Sequence, residues 1–260
     1  MLSLAGGSPI QGGHPDQDIN ADNATTTQVG GPVGAFYLIH TDGIFNSEQE
    51  VQSYKNKDGN LIQPNAVPGD IRFVDANGDG IISSLDKVYS GSPFPKFSYG
   101  FGFNSSWKGF DLSMFIQGTY GNKIYNGLRM TLEETSNMTN WDKSTLNAWT
   151  PDHHTNIPRL TSTDPNTNAR VSNRFLENGS YLRMKSLELG YTFNSSIIKT
   201  IGISSFRAYL SLNNMFTITK YSGYNPDIGR SGSILDRGVD NGIIGYPLSR
   251  SATFGVQLRF

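Results

Sequence analysis

The chain contains no cysteine, which excludes disulfide frameworks, thiolate metal sites and cysteine nucleophiles. No apolar run approaches the roughly 18–20 residues that a transmembrane helix needs, and residues 1–7 lack the basic segment and full apolar core of a signal peptide. Charged residues make up only 17% of the chain and nearly cancel to a net charge of −1, so no global charge draws it toward nucleic acid. The zinc-protease, Gly-x-Ser-x-Gly and Lys-containing phosphate-loop motifs are also missing, and we expect no enzyme.

What the chain has instead is aromatic residues and glycine. Aromatics account for 12% of the residues, among them 12 Tyr and 15 Phe, and there are 29 Gly. Low charge combined with many aromatics, Gly, Ser, Asn and Thr is typical of β-structure with large turns. The composition therefore argues against a helical bundle.

Strict alternation of apolar with polar or small residues predicts two-faced β-strands. The clearest case runs from Ser251 to Phe260, where every second side chain is apolar without exception. The six predicted strands are 35–41 (the weakest), 97–103, 110–117, 181–193, 206–213 and 250–260. The apolar face is predicted to comprise Phe101, Phe103, Leu112, Ile116, Leu187, Leu189, Leu210, Leu212, Phe254, Val256 and Leu258. Arg183 and Lys185 fall on the apolar face of their strand by simple alternation, which fits a rim position where long basic side chains reach water.

The connections between these strands alternate in length. Turns at 106–109 and 194–204 are short, whereas those at about 42–96, 118–180 and 214–249 are long and polar. Transmembrane barrels have this asymmetry, with short periplasmic turns and long outer loops, and it places Phe260 at the periplasmic rim. An ordinary antiparallel sheet with one buried face gives the same alternation, so a soluble β-protein stays open. Six strands are too few to close a membrane barrel, for which the smallest number is about 8.

One local motif has the spacing of a calcium-binding loop. Oxygen ligands at positions 1, 3 and 5, a Gly at position 6 and a carbonyl at position 7 are the pattern that surrounds this ion. The candidate ligands are Asp75, Asn77, Asp79, the Ile81 carbonyl, Ser83 and Asp86. Residues 69–73 before the loop are predicted to be extended, unlike an EF-hand, and Asp in place of Glu at position 12 weakens bidentate capture. The alternative is a solvated Asn-Gly/Asp-Gly turn.

Four aromatic residues of the long loops are candidate substrate contacts, because aromatic faces stack on sugar rings and on peptides. They are Trp141, Trp149, Tyr221 and Tyr224. Loop packing or interface anchoring is the alternative for each. The adjacent His153 and His154 point in opposite directions on an extended chain, so we interpret them as exposed loop residues and not as metal ligands.

Several segments, in their order and spacing, resemble one family. They are residues 34–37, 41–45, 68–80, 97–101, 108–113, 117–118, 121–122, 179–185, 189–191, 213–216, 221–226 and 254–260. Together they are similar to the C-terminal barrel region of the SusC/RagA-type TonB-dependent transporters of Bacteroidota. The resemblance covers roughly residues 30–260.

The resemblance implies an all-β fold: an antiparallel transmembrane β-barrel segment, about six strands of a larger 22-strand barrel, with long extracellular loops. It also implies import of glycans, oligosaccharides or peptides across the outer membrane. The implied partners are outer-membrane lipid, a SusD-like surface lipoprotein and, through a region outside this sequence, TonB; no nucleic acid is expected. Residues 1–32 would hold the end of a preceding strand (1–4) and an irregular segment, and 33–260 the barrel strands with their loops.

Two other functions remain possible from the residues alone. One is a soluble, calcium-dependent β-protein that binds carbohydrate, in which the predicted apolar face would be buried against a second layer. The other is an assembly fragment without activity.

Overall fold

A computed structural model describes residues 10–12, 24–27, 30–137, 140–193, 202–229, 237–242 and 247–260. The strand end predicted at 1–4, most of the irregular segment at 5–31 and most of the turn at 194–204 lie outside the described residues. The division at residue 32 stays a prediction.

The described elements are mostly short strands, with five long ones. The strands are β1 (Ile10–Gly12), β2 (Thr25–Thr27), β3 (Ala35–Ile39), β4 (Thr41–Ile44), β5 (Ile71–Phe73), β6 (Lys87–Gly91), β7 (Phe97–Trp107), β8 (Phe110–Tyr120), β9 (Lys123–Asn126), β10 (Leu176–Asn178), β11 (Tyr181–Phe193), β12 (Ser205–Asn213), β13 (Thr217–Thr219), β14 (Val239–Asp240) and β15 (Ser251–Arg259). The helices are α1 (Glu48–Ser53), α2 (Gly127–Glu133) and three 3₁₀ turns at Ser84–Asp86, Lys143–Asn147 and Asn173–Phe175. Among the described residues, no helix has both the length and the apolarity required to cross a membrane.

The chain forms two compact units, which we describe separately. The strand unit comprises Phe94–Asn122, Asn178–Pro226 and Tyr246–Phe260. The loop unit comprises Met1–Pro93, Lys123–Glu177 and Asp227–Gly245.

The strand unit is one antiparallel sheet in the order β15-β12-β11-β8-β7, so consecutive long strands are neighbours. Five of the predicted strands are confirmed in it. The sixth strand of this sheet is β13, which pairs with the start of β11. The segment predicted at 35–41 does form β3, but in the sheet of the loop unit, and its side chains are mostly buried.

The register places all the predicted apolar side chains on one face, because directly paired residues of an antiparallel sheet project to the same side. The rows on this face are Phe101–Ile116–Met184, Phe103–Met114–Leu187–Leu212–Ala252, Ser105–Leu112–Leu189–Leu210–Phe254, Trp107–Phe110–Tyr191–Ala208–Val256 and Phe193–Phe206–Leu258. Phe254 is 72% exposed and Phe101 57% exposed, so the face is not covered by a second layer.

Aromatic rings concentrate at both ends of this apolar face. At one end Phe97 stacks on Tyr120 with ring centroids 5.3 Å apart. At the other end Phe110, Tyr191 and Phe193 are in successive ring contact, at 4.6 and 4.9 Å. The 11 residues of β7 span about 33 Å along the strand, which at a tilt of about 40° is a band about 25 Å tall.

A β-bulge at Lys185 changes the prediction for Arg183. The register shifts between Met184 and Ser186, so one extra residue separates the two halves of β11. An extra residue moves every side chain before it to the opposite face. Arg183 is therefore paired with Gln117 on the polar face and is 2% exposed, so its predicted rim position on the apolar face was wrong.

The long connections predicted at 42–96 and 118–180 are folded, with a core of their own in the loop unit. Its largest cluster of buried residues is Phe36, Leu38, Tyr125, Met130, Val171 and Phe175. The strands pair as β1-β2-β3-β6, as β4-β5 and as β10-β9-β14, and β9 and β14 are parallel.

A buried polar network joins distant segments of the loop unit. The Asp70 carboxylate is fully buried and accepts hydrogen bonds from Arg159 Nε at 2.8 Å and from Asn168 Nδ2 at 3.0 Å. Asn168 Oδ1 in turn accepts from the Ile71 amide at 2.8 Å. Because each buried polar group in this network has a partner, the network fixes the position of the chain around β5 without a large desolvation penalty.

We predict that Leu212→Arg, near the middle of the apolar face, lowers the unfolding free energy of the protein in lipid vesicles by about 2–4 kcal/mol, the cost of a charge in hydrocarbon if this face contacts lipid. Ser211→Arg, one residue away on the polar face, is the matched control and should cost far less. Urea titration followed by heat-modifiable electrophoretic migration measures both. Equal costs for the two variants would mean that the apolar face does not contact lipid.

Candidate functional site

The polar face of the strand unit carries a cluster of charged side chains. Arg207 Nε donates to Asp111 Oδ1 at 3.0 Å, and its Nη2 donates to Asp111 Oδ2 and, at 2.7 Å, to Glu188 Oε1. The three residues lie on β12, β8 and β11, so one guanidinium links three neighbouring strands. Both carboxylate side chains are 36% exposed, which reduces what the ion pairs contribute to stability. We call Asp111, Glu188 and Arg207 the charged cluster.

Gly190 makes the charged cluster sterically possible. It lies between Asp111 and Tyr209 in the register of the sheet. A Cβ atom at this position would be 2.5 Å from Arg207 Nη2 and 2.6 Å from Asp111 Oδ1. The same face has a second close packing at Gly255, where the Tyr209 ring occupies the space a side chain would need. Large side chains lying over strand glycines fix register in this way.

At the other end of the polar face, Arg183 holds the segment that follows β13. Its Nε donates to Thr217 Oγ1 at 2.9 Å and its Nη2 to Asn225 Oδ1 at 2.7 Å, while its guanidinium carbon lies 5.0 Å from the Tyr181 ring centre. A buried charge with hydrogen-bonding partners is expensive to disturb. The segment that includes Tyr221 and Asn225 is therefore anchored to this face.

The predicted calcium loop curls around Asp75. Its Oδ1 accepts from the Gly78 amide at 2.7 Å and its Oδ2 from the Gly80 amide at 2.8 Å. Both glycines have positive φ, 75° and 88°, a conformation that favours residues without a Cβ. Asp79 Oδ1 accepts from the Ile81 amide at 3.0 Å. The extended segment predicted before the loop is present as β5.

Asp86, at position 12 of the loop, is fully buried and already hydrogen-bonded. Its Oδ1 accepts from the Ala76 amide at 2.8 Å and its Oδ2 from the Ser83 amide at 2.7 Å. The second of these bonds is one half of a capping box at the start of the 3₁₀ turn Ser84–Asp86. Within the described part of the chain, no three Asp, Glu or His side chains converge as metal ligands. The calcium site, with Asn77 among its ligands, stays a prediction.

Burial divides the four candidate substrate-contact residues into two pairs. Trp149 is buried, donates from Nε1 to Asn46 Oδ1 at 3.1 Å and stacks on His154. Tyr221 is also buried, with its ring over Gly223. Trp141 and Tyr224 are 48% and 62% exposed, so their rings are available to a ligand. Substrate contact stays a prediction for all four, with the exposed pair better placed for it.

The loop unit contains a small cleft that the sequence did not predict. It holds room for about one water molecule and includes Glu133, Glu134, Asp164 and Arg174 in its lining. Glu133 accepts from Arg174 Nη2 at 2.8 Å. Burial raises the pKa of Glu134, and the nearby Asp164 carboxylate adds to this rise. Burial lowers the pKa of Arg174, and Glu133 partly offsets it.

The only sequence signal near this cleft is a helical pair. Arg129 and Glu133 stand four residues apart on α2 and form a 2.6 Å ion pair. The pair predicts a helix but not a cleft, because the other charged residues come from distant segments without a common spacing.

No family model matches the chain. It is 30% identical over 237 residues to TonB-dependent receptor P3 of Formosa agariphila, across 89% of this chain and 22% of that protein. It is 28% identical over 202 residues to the TonB-dependent receptor SusC of Bacteroides thetaiotaomicron, across 75% of this chain and 18% of SusC.

Two solved structures of RagAB share the fold. The structure of the RagAB peptide importer in its open-open state superposes with a TM-score of 0.69 at 25% identity, across 100% of this chain and 25% of that one. The structure of the RagAB peptide transporter gives 0.66 at 27% identity, across 90% and 24%. This chain belongs to the SusC/RagA-type TonB-dependent receptors. It spans about a fifth to a quarter of the length of these relatives.

Membership of this receptor family gives the two faces of the strand unit different environments. The predicted fold, a segment of an antiparallel transmembrane barrel, is confirmed. In such barrels the outward face is apolar and the interior is polar. The charged cluster and the residues around Arg183 lie on the polar face, the face that such barrels turn toward their interior.

We predict that Gly190→Ala destabilises the folded receptor by about 1–3 kcal/mol, because the added methyl overlaps Arg207 and Asp111. Gly102→Ala is the control, since its Cβ would meet nothing nearer than Phe115 at 3.8 Å. Urea titration of the two variants in lipid vesicles measures the difference. If both tolerate alanine equally, the charged cluster does not occupy the space over Gly190.

For the calcium loop, we predict that 10 mM Ca²⁺, at about 10–100 times the Kd typical of extracellular sites, stabilises the receptor by about 1.4–2.7 kcal/mol. Asp75→Asn should abolish this gain, because an amide cannot supply two carboxylate oxygens. Asp58→Asn, on an exposed neighbouring turn, should leave it unchanged. Thermal unfolding with and without calcium, together with calorimetric titration, measures the effect. Absence of both heat and stabilisation in the unsubstituted receptor would exclude the site.

Proposed function

We propose that this chain forms part of the wall of an outer-membrane importer that takes up glycans, oligosaccharides or peptides, with TonB supplying the energy. The main support for this proposal is the segregation of apolar and polar side chains to opposite faces of the strand unit. One face is exposed and apolar, whereas the opposite face carries the charged cluster. Such a wall separates hydrocarbon from a polar passage. Its proposed function is binding and gating, without covalent chemistry.

The apolar band supports placement in the outer membrane. Its estimated height of about 25 Å equals the apolar band of outer-membrane barrels, which is bordered by aromatic girdles. Phe97 and Tyr120 lie at one end of β7 and β8, and Trp107 and Phe110 lie at the other. The names of the relatives, TonB-dependent receptors and a peptide transporter, point in the same direction.

The proposed partners are a SusD-like surface lipoprotein, TonB and outer-membrane lipid. The likeness to SusC and to the RagAB structures supports a lipoprotein partner, because these proteins belong to the family for which such a partner is expected. The loop unit supports it physically, because a folded module with its own core offers a fixed surface to a partner, which an irregular loop does not. TonB would act through a region outside this sequence.

The alternative, a soluble calcium-dependent β-protein that binds carbohydrate, is less well supported. It requires the apolar face to be buried against a second layer. Leu189, Phe254 and Val256 on that face are instead 48%, 72% and 53% exposed. Exposing such a continuous apolar surface to water would favour aggregation.

We predict that bacteria deleted for the receptor lose uptake of either an oligosaccharide or an oligopeptide class, and that the full-length gene restores it. A protonophore should abolish the restored uptake, because TonB-dependent import draws on the proton-motive force. Uptake of radiolabelled pools of both classes is the measurement, and a small solute that enters through porins is the control. Unchanged uptake of both classes in the deletion strain would contradict the proposal.

A further inference from the structure

The two-residue turn between β7 and β8 has an unusual residue at its first central position. Trp107 and Phe110 are directly paired, and Lys108 and Gly109 between them have φ of 47° and 91°. Two positive φ values in a hairpin of this length favour Asn-Gly. A lysine adopts the left-handed conformation at a cost that Asn or Gly largely avoids. The turn geometry therefore does not explain why Lys108 is there.

The turn is held firmly against the next strand. The Thr192 amide donates to the Gly109 carbonyl at 2.7 Å. A Cβ at Gly109 would lie 2.8 Å from the Thr192 carbonyl oxygen and 3.1 Å from the Tyr191 ring, so only glycine fits. Lys108 is consequently presented from a fixed backbone.

Lys108 stands at the edge of an aromatic row on the apolar face. Phe110, Tyr191, Phe193 and Phe206 are in successive ring contact, and the last pair stacks at 4.7 Å. Trp107, which is paired directly with Phe110, is 67% exposed. Aromatic rows of this kind occupy the boundary between hydrocarbon and headgroups, so the turn lies at headgroup level.

The Lys108 ammonium lies 4.9 Å from the centre of the Trp107 ring. In the part of the chain that the structure describes, Lys108 forms no ion pair with a carboxylate. Asp111, the nearest acid along the strand, is engaged by Arg207 on the opposite face. The Lys108 ammonium can therefore accept an anionic partner at the membrane boundary, where lysines beside aromatic rings extend toward phosphate.

We propose that the Trp107–Lys108 turn is a binding site for an anionic glycerophospholipid, with the Lys108 ammonium on the lipid phosphate and the Trp107 ring against the glycerol and upper acyl region. This inference rests on the proposed function, because it requires the strand unit to lie in a bilayer. It adds a defined lipid contact at one residue. The occupant is a lipid and not a soluble anion, since Trp107 supplies an apolar surface that free phosphate cannot use.

The test uses the full-length receptor, purified in detergent and titrated with phosphatidylglycerol, with bound lipid counted by native mass spectrometry. Lys108→Asn keeps a residue that suits the turn but removes the charge, and we expect it to weaken binding at the tightest site about fivefold. Lys108→Arg should keep the affinity. Lys143→Asn, an exposed lysine of the loop unit, changes the net charge equally and should have no effect.

Glycerol phosphate, used as a second probe, distinguishes a lipid phosphate from a soluble phosphate as the ligand. We expect no Lys108-dependent binding of it, and equal Lys108-dependent binding of both probes would overturn the assignment to lipid. Unchanged phosphatidylglycerol affinity in Lys108→Asn would overturn the site itself. Insertion of the same preparations into phosphatidylethanolamine–phosphatidylglycerol vesicles, followed by tryptophan emission, keeps the two failures apart. A receptor that inserts but ignores Lys108 contradicts only this inference, whereas one that does not insert contradicts the proposed function.

Discussion

The antiparallel register of the five long strands is the constraint on which the other features depend. A strand whose apolar side contacts hydrocarbon has no water to satisfy its amides and carbonyls, so they must pair with neighbouring strands. Pairing in turn determines which side chains share a face. From Phe103 across to Ala252, and from Leu112 across to Phe254, every row is set by this register. A shift of one residue would move charged side chains from the polar face to the apolar face.

Glycine and one bulge adjust this register where side chains would otherwise collide. Gly190 leaves space for Arg207 to reach Asp111, and Gly255 leaves space for the Tyr209 ring. The bulge at Lys185 turns Arg183 to the polar face, where it binds Asn225. Local departures from ideal strand geometry thus create the contacts on the polar face of the sheet. Their cost is met by hydrogen bonds that a regular strand could not form.

Much of the strand unit could be predicted because its signal is local. Alternation with a period of two identifies β7, β8, β11, β12 and β15 from neighbouring residues alone, and their sequence order is also their order in the sheet. The loop unit carries no such signal. Its core joins Phe36, Tyr125 and Phe175, which are far apart in the chain, so no window of sequence contains the packing partners. The same holds for the cleft, where Glu133 meets Arg174.

The sequence by itself determined the two-faced strands, the family resemblance and the calcium-loop spacing, because each is written in consecutive or regularly spaced residues. Only the tertiary structure decided which face Arg183 occupies, since a single extra residue reverses the count and alternation cannot reveal it. It also decided that Trp149 and Tyr221 are buried whereas Trp141 and Tyr224 are exposed, because burial depends on what distant segments place over a ring. Alternation indicates which side chains share a face of a strand, but only contacts between distant segments determine what covers that face.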